Sequence, residues 1–223
     1  FEGRLSRAAA QKDNSHILLI AKNLKGYNNL IKLSSLAFLE GFYYNPRIDR
    51  ELLEKYNEGL ICLSACLSGE IPKLILQDKI EEAEKLALYY QELFGKDSFF
   101  LEMQIHGIKE EKIVAKSLYA MSKKLKIPLV ATNDCHYLEK EDAEAHDVLL
   151  CIGTKKKLSD SNRMKLKGDS FYFKSEEEMA KIFSEIPKAL SNTQIIAEMC
   201  DLKIDLPGPV LPDFKVPENK SKE

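Results

Sequence analysis

Four short apolar runs dominate this chain: residues 16–21 (HILLIA), 60–63 (LICL), 99–105 (FFLEMQI) and 127–131 (IPLVA). Each reads as an apolar strand of the kind found in sheets covered by helices. The stretches between them carry apolar residues at helical spacing. Leu30, Leu33, Ala37 and Phe38 mark one helix, and Ile80, Ala83, Ala87, Tyr90 and Phe94 mark another that Gly95 stops. Ile113, Leu118, Met121 and Leu125 mark a third. Buried strands alternating with helices leave few folds: α/β, with a parallel sheet covered by helices, either open or closed into a barrel.

The remainder is punctuated by turn and cap signals. GFYYNP (41–46) breaks the first helix, and Asp49 is placed to cap a short helix over Leu52 and Leu53. Residues 142–151 read as a helix, 154–168 as a basic loop and 171–173 as a short strand. Ser175 with Glu178 forms a capping box, and Pro187 opens a last helix through Ile195, Ile196 and Met199. From Pro207 the chain is rich in proline and charge, so the expected division is a domain over 1–206 and a linker over 207–223. No repeat and no Gly-rich phosphate loop is visible.

Composition narrows the class. With 44% hydrophobic and 30% charged residues the chain is neither disordered nor fibrous. No run of about 18 apolar residues occurs, and the first residues hold no apolar core of a secretory signal. The five cysteines are irregularly spaced, which suits a reducing cytoplasm rather than a disulfide framework. A net charge of -2 gives no global attraction to nucleic acid, so any such contact would be local.

In a parallel sheet all carboxyl ends lie on one rim, where α/β proteins place their chemistry. The fourth run ends in Asn133-Asp134-Cys135-His136. Alternation along an extended chain puts Asp134 and His136 on one side, in reach of one metal ion, and a carboxylate with a neutral imidazole suits zinc, manganese or iron. The competing reading has Asp134 capping the next helix and His136 making a local hydrogen bond. Cys66, beyond the second run, is either a thiolate zinc ligand or a small residue closing a strand. His106, beyond the third run, is either a rim residue or a turn histidine beside Gly107. Cys62 belongs to the core, and Cys135 points away from the pair. His16 opens its strand rather than closing it, so position on a rim does not select it. His146, beside Glu144 and Asp147, reads as a solvated or ion-paired helix residue. Lys155, Lys156, Lys157 and Arg163 read as a solvated loop, with phosphate contact as the alternative.

Several motifs carry a resemblance. GFYY-x-PRID, LS-x-C-x-x-GE, FFLEMQIHG, TND-x-HY, DAEAHDVLLCI and the closing LPDF together resemble the amino-terminal polymerase-and-histidinol-phosphatase (PHP) domain of bacterial DNA polymerase III alpha subunits. The resemblance implies a distorted parallel β/α barrel with a metal cluster at its carboxyl rim. Four positions match the family's metal pattern: His16, Cys66, Asp134 and His136. His106 stands in a motif of members that keep an intact site, without being assigned as a ligand.

The implied cofactor is a divalent metal, Zn or Mn, with Mg serving the parent polymerase. The implied partners are primer-template DNA and other replicase subunits. An intact site would use its metals to activate water for 3′-5′ exonuclease or phosphoesterase chemistry; otherwise the domain braces a DNA-directed DNA polymerase. A stand-alone phosphatase such as histidinol phosphatase is the alternative. Family members begin with a His-x-His strand, an Asp-His strand end and a Gly-x-Glu strand, none of which occurs here. The expectation is therefore a fragment: an incomplete barrel lacking its first strands, weak or empty in metal, with LPDF leading toward a polymerase palm.

Overall fold

The structure is a computed structural model in which residues 14–206 and 208 are described. The expected linker over 207–223 lies, apart from Gly208, outside the described residues.

Four strands form one sheet in the order β1-β2-β3-β4: β1 Leu18–Ala21, β2 Leu60–Leu63, β3 Phe99–Met103 and β4 Leu129–Ala131. The helices are α1 Leu24–Leu39, α2 Arg50–Tyr56, α3 Glu70–Leu76, α4 Ile80–Phe94, α5 Lys109–Leu125, α6 Ala143–Thr154, α7 Glu176–Ile182 and α8 Pro187–Glu198. β2, β3 and β4 are buried at every position, which is why their sequences do not alternate. Alternate residues nevertheless serve different layers. Leu60, Cys62, Phe99, Leu101, Met103 and Leu129 join the main core, with α4 and α5 supplying Ala83, Ala87, Leu118 and Met121. Ile61, Leu63, Phe100 and Val130 meet Ile196 of α8 on the opposite face. Helices thus cover both faces.

The parallel expectation holds for β2, β3 and β4 and fails for β1, which pairs antiparallel with β2, Leu18 opposite Leu63 and Ala21 opposite Leu60. The reason lies in the connection. Gly26, in the first turn of α1, packs directly on the Gly59 carbonyl: an added Cβ would sit 2.0 Å from that oxygen. Lys22 N donates to the same Gly59 oxygen at 2.9 Å. The chain therefore re-enters the sheet at the end where it left, and β2 runs back along β1. Among the described residues the sheet is open, with β1 as an edge whose Leu18 is exposed.

Two elements differ from the sequence reading. α3 is a helix that spacing did not reveal, because it is one short stretch opened by Gly69 without a side-chain cap. Residues 171–173 make only an isolated parallel bridge, Tyr137 to Tyr172, rather than a strand. The Ser175–Glu178 capping box and the Pro187 helix start form as the sequence indicates.

Candidate functional site

β2 ends in a sharp turn that presents Cys66. Ala65 takes a left-handed φ of 63°, and Gly69 N donates to the Cys66 carbonyl at 2.8 Å. Gly69 is dictated by close approach, since a Cβ there would lie 2.2 Å from Ser64 O. The antiparallel β1 brings its first residues to this same rim. His16 N donates to Ser68 O at 2.9 Å, and the His16 Nδ1 and Cys66 Sγ atoms stand 3.8 Å apart across 50 residues of sequence. A parallel β1 would have carried His16 to the far end. Strand direction, invisible to periodicity, is what makes His16 a rim residue.

Asp134 and His136 also meet, but not by alternation along a strand. β4 stops at Ala131, and Asp134 adopts a left-handed φ of 47°. The turn brings Asp134 Oδ1 within 3.5 Å of His136 Nε2, with both side chains about 38% exposed. Asp134 caps no helix; the following helical turn is capped by Glu139 with Asp142. His136 N donates to Phe171 O at 2.8 Å, and its ring lies edge-on to Phe171. His146, read from sequence as a solvated helix residue, is half-buried with its ring 5.6 Å from that of His136. No local signal marked it, because the contact joins a loop to α6.

The end of β3 lies between these pairs and carries two buried titratable groups. Glu102 is 5% exposed. Its Oε1 accepts from Thr132 Oγ1 at 2.5 Å and from Gln104 Nε2 at 3.1 Å, while Oε2 is buried without a hydrogen-bond partner among the described residues. Burial raises its pKa above the ordinary carboxylate value; the hydrogen bonds of Thr132, Gln104 and the Ala65 backbone oppose that rise, and the Asp134 charge adds to it. Sequence reasoning passed over Glu102, which sits within the apolar run 99–105.

His106 is buried, and both ring nitrogens are engaged: Nδ1 with Glu111 Oε1 at 2.7 Å and Nε2 with Asn133 O at 2.6 Å. Burial alone would lower its pKa, but the hydrogen bonds to Glu111 and to the Asn133 carbonyl, with the Glu111 charge, raise it. It serves as a turn histidine with structural partners and has no free nitrogen for a metal.

Cys62 is fully buried in the core, as expected, and burial pushes its thiol pKa up. Cys135 is exposed, its sulfur accepting from Asn133 Nδ2 at 3.1 Å. Of the basic loop, Arg163 forms a bidentate pair with Asp147 of α6 at 2.5 and 2.7 Å, so it is committed within the fold. Lys155, Lys156 and Lys157 are exposed.

The rim therefore carries two pairs, His16 with Cys66 and Asp134 with His136. Nitrogen, sulfur and carboxylate donors are of the kind that zinc or manganese takes. The pairs stand on β2 and β4 with β3 between, and at ~4.8 Å per strand their strand ends are about 10 Å apart. Among the described residues no group of three or more His, Cys, Asp or Glu is disposed to hold one ion. The donors fit a metal in kind, but as two half-sites rather than one site.

Comparison with known proteins adds the context. The PHP domain family matches residues 4–106. The DNA polymerase III subunit alpha of Borreliella burgdorferi is 53% identical over 207 residues, 92% of this chain and 18% of that protein. That of Treponema pallidum is 53% identical over 209 residues, 93% of this chain and 18% of the relative. That of Thermus aquaticus is 44% identical over 213 residues, 93% of this chain and 17% of the relative. The chain thus spans a little under a fifth of the length of these relatives. No helix among the described residues is long and apolar enough to cross a membrane. With residues 4–106 matched by the PHP domain family and nearly the whole chain matched by these subunits, the chain is similar to a PHP-bearing stretch of the DNA polymerase III alpha subunit.

Proposed function

We propose that this chain is the PHP module of a cytoplasmic replicative DNA-directed DNA polymerase, and that His16, Cys66, Asp134 and His136 are the ligands it contributes to a divalent-metal rim. The observation that carries this reading is the meeting of His16 and Cys66 at 3.8 Å. A histidine that is exposed and a cysteine that is only half-buried are not core residues, and a His–Cys pair brought together from distant segments supplies donor types that zinc takes. The module's first role is to brace the polymerase that acts on primer-template DNA with its partner subunits, zinc or manganese stabilising the rim. Magnesium belongs to polymerisation itself.

A second reading, metal-assisted 3′-5′ exonuclease or phosphoesterase activity, is favoured by the solvent exposure of Asp134 and His136. An open ligand pair leaves room for a phosphodiester beside it. A stand-alone phosphatase is disfavoured, because the similar proteins are polymerase subunits.

The test is made in the full-length protein with two double variants, His16→Ala/Cys66→Ala and Asp134→Ala/His136→Ala. Bound zinc and manganese are measured by mass spectrometry, together with release of a mismatched 3′ nucleotide and melting with and without chelator. Both variants are expected to lose bound metal; unchanged metal content in both would overturn the ligand assignment. Nucleotide release that disappears with the metal supports the catalytic role. A chelation-induced fall in melting temperature without any release supports the bracing role.

A further inference from the structure

Glu111 and His106 form a buried link between two strand ends that neither metal binding nor core packing explains. Glu111 lies in the first turn of α5, where the helix dipole favours a carboxylate. Its Oε2 accepts from His106 N at 2.7 Å, and its Oε1 meets His106 Nδ1 at 2.7 Å. On the other side of the ring, Nε2 contacts Asn133 O. A backbone carbonyl can only accept, so Nε2 carries a proton; the Nδ1 contact then needs a second proton shared between ring and carboxylate.

The consequence falls on the residue next to Asp134. Asn133 is held through its carbonyl by His106 and through Oδ1 by Lys174 Nζ at 2.9 Å. The His106 ring stacks on Phe171, with centroids 4.3 Å apart, and Phe171 O accepts from His136 N. The charged groups facing the His106 ring are Glu111, from α5, and Lys174, from the segment after Phe171.

We propose that His106 and Glu111 are a positioning pair for the Asp134–His136 half-site, clamping the Asn133 carbonyl so that the loop is set before any ligand arrives. The inference rests on the reading of Asp134 and His136 as rim ligands, and it adds residues that never touch the ion.

The experiment compares His106→Ala, Glu111→Ala and Glu111→Gln in the full-length protein. Glutamine retains the clamp without the second proton: its oxygen accepts from His106 N, and its amide donates to a neutral Nδ1 while Nε2 still donates to Asn133. Amide hydrogen exchange is followed over residues 132–137, with β3 as internal reference, alongside a Mn²⁺ titration. The two alanine variants are expected to raise exchange over 132–137 by about tenfold or more while β3 changes by less than about twofold. Glu111→Gln is expected to return within about threefold of the wild type, and Mn²⁺ affinity to follow the same order.

Unchanged exchange in His106→Ala overturns the proposal, as does an equal rise in loop and strands. So does a Glu111→Gln protein of normal melting temperature whose loop is as open as that of Glu111→Ala. If the wild type binds no Mn²⁺, the half-site reading fails by itself and the exchange pattern alone judges the clamp. Should His106→Ala not fold, selective ¹⁵N-histidine spectra of the wild type decide: a protonated Nε2 on His106 supports the clamp, and a bare Nε2 overturns it.

Discussion

Glu102 is the residue whose behaviour is most out of keeping with its place in the chain. It occupies a fully buried strand with one oxygen unpaired, so the carboxylate is destabilised relative to its acid. A carboxyl whose folded pKa is raised contributes stability below its unfolded pKa and loses it as pH climbs through the folded value. Glu102→Gln, which keeps the shape and the Oε1 acceptor, is therefore expected to melt at or above the wild-type temperature near neutral pH. The difference should vanish toward about pH 4, where the native carboxyl is protonated. Melts across that range check it; a variant that melts lower at neutral pH would contradict the assignment. At this scale the sequence was informative for Cys62, whose place inside an apolar run is a core position. It was silent on Glu102 and on the tie between His106 and Asn133, since neither a buried orphan oxygen nor a partner 27 residues away leaves a local pattern.

Among the elements, the caps at Asp49 and Ser175 were legible, whereas the Asn23 cap of α1 and the close approaches were not. Ser175 accepts from Glu178 N at 3.3 Å, and Glu178 returns the bond to Ser175 N at 2.8 Å, both written in the spacing of the two residues. Ser175→Ala is expected to cost about 1 kcal/mol. Gly26→Ala is expected to cost more, about 3 kcal/mol, because its Cβ would press on the Gly59 carbonyl 2.0 Å away and no side chain there can give way. Denaturant melts of the two variants compare them directly, and a milder effect for Gly26→Ala would mean that the α1 start does not set the β1–β2 junction. The same junction explains why β1 runs against β2. Helix spacing showed α1, α4 and α5, but α3, opened without a side-chain cap, gave no signal.

For the molecule as a whole, the layers are held by apolar packing and by buried polar ties. α8 covers the second face of the sheet through Ile196, and its buried Asn192 donates to Leu129 O of β4 at 2.6 Å. Asn192→Ala would leave that carbonyl buried without a donor and is expected to cost roughly 1–3 kcal/mol, read by denaturant unfolding. A loss confined to α8 exchange, with global stability unchanged, would show that the layer docks independently.

Local sequence carried the alternation of strands and helices, their apolar character, the caps at Asp49 and Ser175 and the nearness of Asp134 to His136. Each of these is local: periodicity, burial and capping are properties of neighbouring residues. That β1 runs backwards and so delivers His16 to Cys66 followed from packing between distant segments. The same packing joins Asp134 to His136 through a left-handed turn and sets β3 between the two strands that carry the pairs. Strand direction and strand order depend on how distant segments pack, here a glycine of α1 against the carbonyl before β2, and a one-dimensional pattern does not carry that contact.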